Sequence, residues 1–333
     1  MNPARAGRFL LALSCMAAIL SHAAQPSRWT LIDLGDLAGG AGGSTALAIN
    51  DHGAVVGSAT APAAGGFGFA LHAFLWEDGV MRDLGTPPTS TMSGAIDVND
   101  RGAVLAGDGL GGQYLWQDGN WVRLSVPGVV DRINKFGDMA GSYAVAGRTH
   151  VYLLERGTVL HDGGTLGGSF ASPEGMNDRG AIVGRSSLAG ETEIHAFKYA
   201  DGTLSDLGTL GGTFSTGIGI DKHGVVVGAS LDANRNAYAF VHDGTSMRRL
   251  LPNLPAPQTA TAINDHGAIV GDLGQNGSYL YDDGDVTLLE SIPEVQAGGW
   301  ARLIPTGINN RGWITGWGIR PGRSDRAFVL IPR

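Results

Sequence analysis

The sequence predicts an all-β protein assembled from many short strands, and two observations support this prediction. Glycine accounts for 54 of the 333 residues, about 16% against a usual share of roughly 7%. Each interior glycine costs a helix roughly 1 kcal/mol relative to alanine, so a helix-rich fold is disfavoured. Hydrophobic residues make up 43%, too many for a disordered protein. Second, one short phrase of sequence recurs along most of the chain, which indicates a repeat architecture.

The first element, residues 1–23, is predicted to be a secretory signal peptide. Arg5 and Arg8 precede an apolar run over 9–20, and the small residues Ser21 and Ala23 precede the expected cleavage point. About 12 apolar residues are too few to cross a bilayer core, which needs about 20; an uncleaved membrane segment and a lipoprotein site at Cys15 remain alternatives. Residues 24–333 are therefore expected to form a single exported domain, in the periplasm or the medium, with no membrane insertion after cleavage.

Charge and cysteine content exclude several kinds of site. Cys15 is the only cysteine and lies in the predicted leader, so the mature chain can hold neither a disulfide nor a cysteine-based metal or redox centre. The formal net charge of −8 argues against nucleic acid and anionic membranes as main partners. Zinc motifs, phosphate-binding loops and the Gly-x-Ser-x-Gly nucleophile motif do not occur, so neither a metal nor a cofactor is expected.

The recurring phrase is an apolar residue, Asn or Asp, two further residues, Gly, and a short apolar run that ends in Gly. Its first copy is Ile49–Gly57. The copies begin at Ile49, Val98, Ile133, Met176, Ile220, Ile263 and Ile308. A spacing near 44 residues, repeated this often, predicts seven equivalent structural units.

Each copy contains four strand-sized pieces. In the sixth copy these are 259–263, 268–271, 279–281 and 286–289, all rich in β-branched and apolar residues. The phrase Asn-Asp-x-Gly suits a type I turn followed by a left-handed glycine, and Asp-Gly forms the second tight turn. Each copy is therefore predicted to fold as one four-stranded antiparallel sheet.

The two ends of the mature chain predict a closed ring. Residues 29–35 resemble the fourth strand of a repeat, as in 80–85 and 204–208, whereas the chain stops after a third strand at 327–331. A ring can join these ends and leave no long open edge. The predicted fold is thus a seven-bladed β-propeller of four-stranded antiparallel blades, a monomer whose last blade is completed by the N-terminal strand. Six or eight blades, or another β-repeat array, remain alternatives.

A family resemblance accompanies this pattern. His72-Ala73-Phe74, His195-Ala196-Phe197 and the segment Asp206–Gly212 resemble the HAF family of extracellular bacterial repeats, and the resemblance covers nearly all of the mature chain. It implies an exported repeat protein and brings no reaction or catalytic residues. Histidines and aspartates that recur at fixed places are expected to serve the repeat itself: His52, His223 and His266, His72, His150 and His195, and Asp33, Asp83, Asp162 and Asp206.

The binding site is expected on the face formed by the connections after the second and fourth strands of each copy, called the long-loop face. Two tryptophans and several arginines there suit stacking on sugar rings or paired hydrogen bonds to carboxylates. The candidate residues are Trp300, Arg302, Trp317, Arg320, Arg323 and Asp325. Alternatively, the tryptophans pack between units and the arginines are only solvated. A second, weaker group comprises Arg185, Glu191, Glu193, Asp232 and Arg235.

Regular repeats without a catalytic motif favour a non-catalytic protein that binds an extracellular glycan or protein through the long-loop face. One alternative is a purely structural role in the cell envelope. The other is a carbohydrate-active enzyme, a hydrolase or lyase, that uses Glu290, Glu294 or Asp325 as acid or base. That alternative requires two carboxylates facing each other across a cleft.

Overall fold

A computed structural model describes residues 28–37, 42–63 and 68–333. The predicted signal peptide lies outside the described residues. Within the described ranges nearly all regular structure is β-strand, and the α-helix α1 is a single turn at Pro293–Ala297. None of the helical segments in these ranges has the length and apolar character needed to cross a bilayer.

Three four-stranded antiparallel sheets follow the predicted repeat. The first contains β2 (Ser44–Ile49), β3 (Val55–Pro62), β4 (Phe69–Glu77) and β5 (Val80–Asp83). The second contains β6 (Gly94–Val98), β7 (Val104–Gly107), β8 (Gln113–Gln117) and β9 (Asn120–Arg123). A later sheet contains β22 (Thr259–Ile263), β23 (Ile269–Asp272), β24 (Ser278–Asp282) and β25 (Asp285–Leu288). These last bounds agree with the strands predicted for the sixth copy to within one residue.

A twelve-stranded sheet spans the middle of the chain and consists of three antiparallel groups. The first group is β10 (Val129–Ile133), β11 (Met139–Val145), β12 (Arg148–Glu155) and β13 (Val159–Gly164). The second is β14 (Gly167–Met176), β15 (Ile182–Leu188), β16 (Ile194–Ala200) and β17 (Thr203–Asp206). The third is β18 (Gly211–Ile220), β19 (Val226–Asp232), β20 (Ala237–His242) and β21 (Met247–Arg249). The groups join only through the parallel pairs Thr149–Phe170 and Ile194–Phe214.

The two ends of the chain share one sheet. Strand β1 (Trp29–Gly35) pairs antiparallel with β28 (Arg326–Pro332). On its other side β28 pairs with β27 (Ile314–Ile319), and β27 pairs with β26 (Arg302–Ile308). The N-terminal strand therefore occupies the place of a fourth strand beside the last three strands of the chain, as the sequence predicted.

The core lies between neighbouring sheets rather than within one of them. A fully buried aromatic residue occupies the same place on the third strand of most groups. These residues are Phe74, Tyr152, Phe197, Phe240, Tyr279 and Phe328. Phe74 packs with Ala327 and Val329 of the terminal sheet, and Phe197 packs with Ala140 and Val151 of the preceding group. Each sheet thus buries one face against the sheet before it.

The first strand of every group carries a β-bulge at the same position. The bulged residues are Leu47, Ile96, Asp131, Glu174, Ile218, Thr261 and Thr306. A bulge inserts one unpaired residue and bends the strand, which redirects the side chains that follow it.

Asparagine side chains at the first tight turn tie neighbouring sheets together. Asn50 Oδ1 accepts the backbone N–H groups of His52 and Ala54 within its own turn, and Asn50 Nδ2 donates to the carbonyl of Asn99 at 3.0 Å. Asn309 Nδ2 donates to the carbonyl of Asn50 at 2.9 Å, so the same contact connects the last turn with the first. The repeated Asn therefore shapes the turn and binds the next sheet.

Candidate functional site

The His-Ala-Phe signature has a structural role. His72 Nδ1 lies 3.0 Å from Asp83 Oδ2, and Asp83 Oδ1 accepts the N–H of Gly85 at 2.7 Å. His150 with Asp162 and His195 with Asp206 repeat this arrangement. The histidine therefore joins the third strand to the fourth, while the aspartate caps the glycine turn. These observations confirm that the recurring aspartates cap turns.

The alanine of the signature contacts the next sheet. Ala73 N donates to Ser93 Oγ at 2.8 Å, and the Ser93 hydroxyl donates to the carbonyl of Gly85. Ser215 bridges Ala196 and Gly208 in the same way. With the phenylalanine in the core, all three residues of the signature serve the packing of the repeat.

The structure brings together two of the predicted long-loop residues, Trp300 and Arg320, but places the indole in the core. Trp300 is 6% exposed and packs edge-to-face on Phe328, with the ring centroids 6.0 Å apart. The guanidinium carbon of Arg320 lies 4.6 Å from the Trp300 ring centroid, and Arg320 forms an ion pair with Asp33. In this arrangement Trp300 cannot stack on a ligand.

The other predicted residues are divided between internal contacts and solvent. Arg302 forms an ion pair with Asp272 between neighbouring sheets. Trp317 is half-buried and lies within β27 rather than on a connecting loop, whereas Arg323 and Asp325 are exposed. The Asp325 carbonyl accepts the N–H of Ser44. A ligand-binding role for this sector stays a prediction that concerns Trp317, Arg323 and Asp325.

The carboxylates considered for catalysis are not equivalent. Glu290 Oε2 accepts the Ser278 N–H at 2.9 Å, and Glu290 Oε1 accepts the Ser278 hydroxyl and the Leu303 N–H, both at 3.0 Å. Both oxygens therefore hold the connection before β26 in place. Glu294 lies on α1, and Asp325 lies on the loop before β28.

The second group from the sequence is dispersed. Arg185 faces Glu174, with Nη2 and Oε1 3.6 Å apart, whereas Glu193 contacts His195. Glu191 accepts the Ser169 hydroxyl, and Asp232 pairs with Arg249. These residues do not form one site.

A cavity that sequence reasoning did not identify lies where the first strands converge. This inner cavity has a volume of about 570 Å³ and is lined by residues of β2, β6, β10, β14, β18, β22 and β26, together with the tight turns that follow them. Its wall includes the bulged residues Leu47, Ile96 and Ile218. The sequence contained a sign of this site. At the bulged position of the first strand and the position after it, most copies carry apolar, small or Thr residues, whereas two copies carry Asp131-Arg132 and Glu174.

A charged sector occupies one side of the inner cavity. Asp97 on β6, Arg132 on β10 and Glu174 on β14 line it, and Asp131 on β10 and Arg185 on β15 lie beside them. Asp97 accepts the N–H of Val98 at 2.9 Å and that of Ile133 at 3.0 Å. Burial raises the pKa of Asp97, although the Arg132 charge and these two N–H groups oppose the rise.

The carboxyl group of Asp131 titrates in a pH range where the folded protein can be studied. Burial raises its pKa to about 6; the Arg132 charge opposes this rise and the Glu174 charge adds to it. Across the described ranges no group of three or more His, Asp or Glu side chains is placed to hold a metal ion.

Replacing Asp131 by Asn is expected to flatten the pH dependence of stability. The unfolded carboxyl titrates near 3.8 and the folded one near 6, so the folded state binds the proton more tightly. Stability that is present below about pH 4 is therefore lost as the pH rises through 6, by on the order of 1–2 kcal/mol for this partly buried group. Urea unfolding between pH 4 and 7 measures this loss, which Asp131→Asn should lack. Asp285→Asn, an exposed change on β25, is the control, and an equal slope in all three proteins would contradict the assignment.

The chain is similar in fold to solved β-propellers. The β-propeller domain of the Trilobed protease from Pyrococcus furiosus, described as having an open velcro topology, has a TM-score of 0.58 and 10% identity over 86% of this chain and 95% of that one. YCF48 bound to the D1 peptide has a TM-score of 0.53 and 11% identity over 92% of this chain and 97% of that one.

Pyrococcus horikoshii acylaminoacyl peptidase has a TM-score of 0.56 and 11% identity over 90% of this chain. The present chain spans 53% of the length of that peptidase. No family model matches the chain, and no curated protein sequence matches it. At these identities the likeness shows the fold alone, which is all-β and of the β-propeller type.

Proposed function

We propose that this chain is an exported seven-bladed β-propeller of the HAF-repeat family that binds an extracellular glycan or protein on its long-loop face. Pairing of β1 with β28 and the bond from Asn309 to the Asn50 carbonyl support a ring closed between first and last units. The leader predicted over 1–23 supports export to the periplasm or the medium.

The observation that carries the binding role is a patch of exposed apolar side chains on the long-loop face. Phe69 is 63% exposed, Leu71 47% and Leu110 79%. Leu71 and Leu110 flank the same neighbouring segment, because Ser93 N donates to the Leu71 carbonyl and Gly109 packs against Met92. Single exposed apolar residues are ordinary, but several that stand on one face of neighbouring sheets are typical of an interaction site.

The composition of this patch favours a protein ligand. Aliphatic and aromatic groups of this size are the usual centre of a protein interface, with charged residues at the rim. Arg323 and Asp325 supply such charges near Leu71: the Asp325 carbonyl accepts the Ser44 N–H, Thr60 N donates to the Gly43 carbonyl, and Thr60 is the register partner of Leu71. YCF48, whose structure contains the bound D1 peptide, is a neighbour of the same overall fold.

Glycan and extracellular-protein arrays, read with purified mature protein, test this proposal. The wild-type protein is expected to bind a ligand that the double variants Phe69→Ser/Leu110→Ser and Trp317→Ala/Arg323→Ala lose. Phe136→Ser is the matched control, because Phe136 is a half-exposed aromatic residue on the opposite face. Equal binding by every variant would remove the long-loop site.

A further inference from the structure

The charges in the inner cavity are not required by the repeat. At the bulge and the position after it, four first strands carry only apolar, small or threonine residues. These pairs are Leu47-Ala48, Ile218-Gly219, Thr261-Ala262 and Thr306-Gly307. Charged residues stand there only on β6, β10 and β14, which follow one another along the chain. Since the other strands form the same bulge without them, their presence points to a function beyond folding.

Arg132 and Glu174 have donor and acceptor atoms that form no hydrogen bond with other groups in the part of the chain that the structure describes. One guanidinium N–H of Arg132 donates to the Asp131 carbonyl at 2.7 Å, and no other described acceptor bonds to this group. The Glu174 carboxylate lies 3.6 Å from Arg185, which is longer than a hydrogen bond. Both residues line the inner cavity. The sector therefore offers guanidinium donors beside carboxylate acceptors.

The balance of charge decides which ligand suits this sector. Among the strand residues that line the inner cavity, Asp97 and Glu174 repel an anion and Arg132 repels a cation, whereas the carboxylates of the lining turns accept N–H groups of neighbouring turns. A hydroxyl group both donates and accepts, so it can bond to a guanidinium and to a carboxylate without a net charge. Ile96 and Ile218 lie on the wall and can contact the C–H surface of such a ligand. The volume of about 570 Å³ falls within the range usual for small-ligand sites.

We propose that the inner cavity binds a neutral polyhydroxylated ligand, a free sugar or the end of a glycan chain, through Arg132 and Glu174. The long-loop patch favours a protein, so this inference takes the glycan class of the proposed binding function, on which it rests, and assigns that class to a second site. Arg132 donates to ligand hydroxyls, Glu174 accepts from them, and Asp97 positions β10 through the Ile133 N–H.

The test is calorimetric titration of the mature protein with cellobiose, maltose and N,N′-diacetylchitobiose, and with 1,5-diaminopentane and glutarate as charged probes. The wild-type protein should bind at least one of the neutral sugars more tightly than either charged probe. Glu174→Gln and Arg132→Lys should each weaken that sugar by about tenfold or more, the usual effect of losing a hydrogen bond to a charged group. Glu77→Gln, an exposed change at the end of β4, should leave the affinity unchanged. Titration with the soluble polysaccharide of the preferred sugar separates binding of free sugar from binding of a chain end.

Preference for a charged probe, no heat with any of the neutral sugars, or equal affinity of the Glu174→Gln protein would overturn the proposal. The double variant Phe69→Ser/Leu110→Ser distinguishes the two sites. If it binds the disaccharide normally but fails on the arrays, both sites stand. If it binds normally in both experiments while Glu174→Gln loses the sugar, the long-loop proposal fails and the inner-cavity site stands. If array binding depends on the long-loop residues and none of the sugars binds, the long-loop proposal stands and the inner-cavity proposal fails.

Discussion

Replacing Trp300 by alanine is expected to lower the free energy of unfolding by about 3–5 kcal/mol, the usual cost of truncating a buried aromatic side chain. The indole packs with Phe328, Leu303 and Val295 in the core between the terminal sheet and α1. A Cβ added to Gly318 would overlap the indole, so the ring lies directly on the backbone of β27.

Urea unfolding followed by circular dichroism measures this effect. Trp317→Ala is the matched control, because Trp317 is only half-buried and its truncation should cost markedly less. Equal stability of the two variants would show that Trp300 is not a core residue, and would restore it as a candidate for stacking on a ligand.

Replacing Gly228 by alanine is expected to cost about 3 kcal/mol or more, because the new methyl group has no space. A Cβ at Gly228 would overlap the carbonyl oxygen of Thr216 on the adjacent strand β18. The obstacle is backbone, so relief requires the two strands to separate, with loss of ladder hydrogen bonds. The same overlap is found at Gly57, Gly141, Gly184, Gly271 and Gly316.

The sheet β6–β9 carries an alanine at this position. Ala106 stands there in place of the glycine, and its register partner on β6 is Ala95, where Gly217 is the partner of Gly228. Gly202→Ala is the control for the turn glycines: Gly202 has a φ of +74° and no neighbouring atom within 4 Å, so only backbone strain of roughly 1–2 kcal/mol applies. Urea unfolding of both variants checks the difference, and a cost at Gly228 no greater than that at Gly202 would contradict the steric explanation.

The repeat made the sheets predictable from the sequence. The roles of the candidate site residues were harder to predict. The strands of the sixth copy and the N-terminal strand were recognisable because their turns are local: Asn264 accepts the backbone N–H groups of His266 and Ala268 two and four residues ahead. The roles of Trp300 and Glu290 were not recognisable. Their partners, Phe328 and Ser278, belong to other strands, and the loop sequence alone reads equally as core or as exposed site.

The inner cavity shows the same division. Alternation along a strand predicts which side chains face together, but the bulge at Asp131 shifts that alternation by one residue, and no local motif marks the bulge. By itself, then, the amino-acid sequence determined the strand order, the turns and the fold class, because these depend on short-range hydrogen bonding and on the periodic placement of apolar residues. Only the tertiary structure decided which polar side chains are used in packing and which face a common cavity, because that depends on contacts between sheets far apart in the chain.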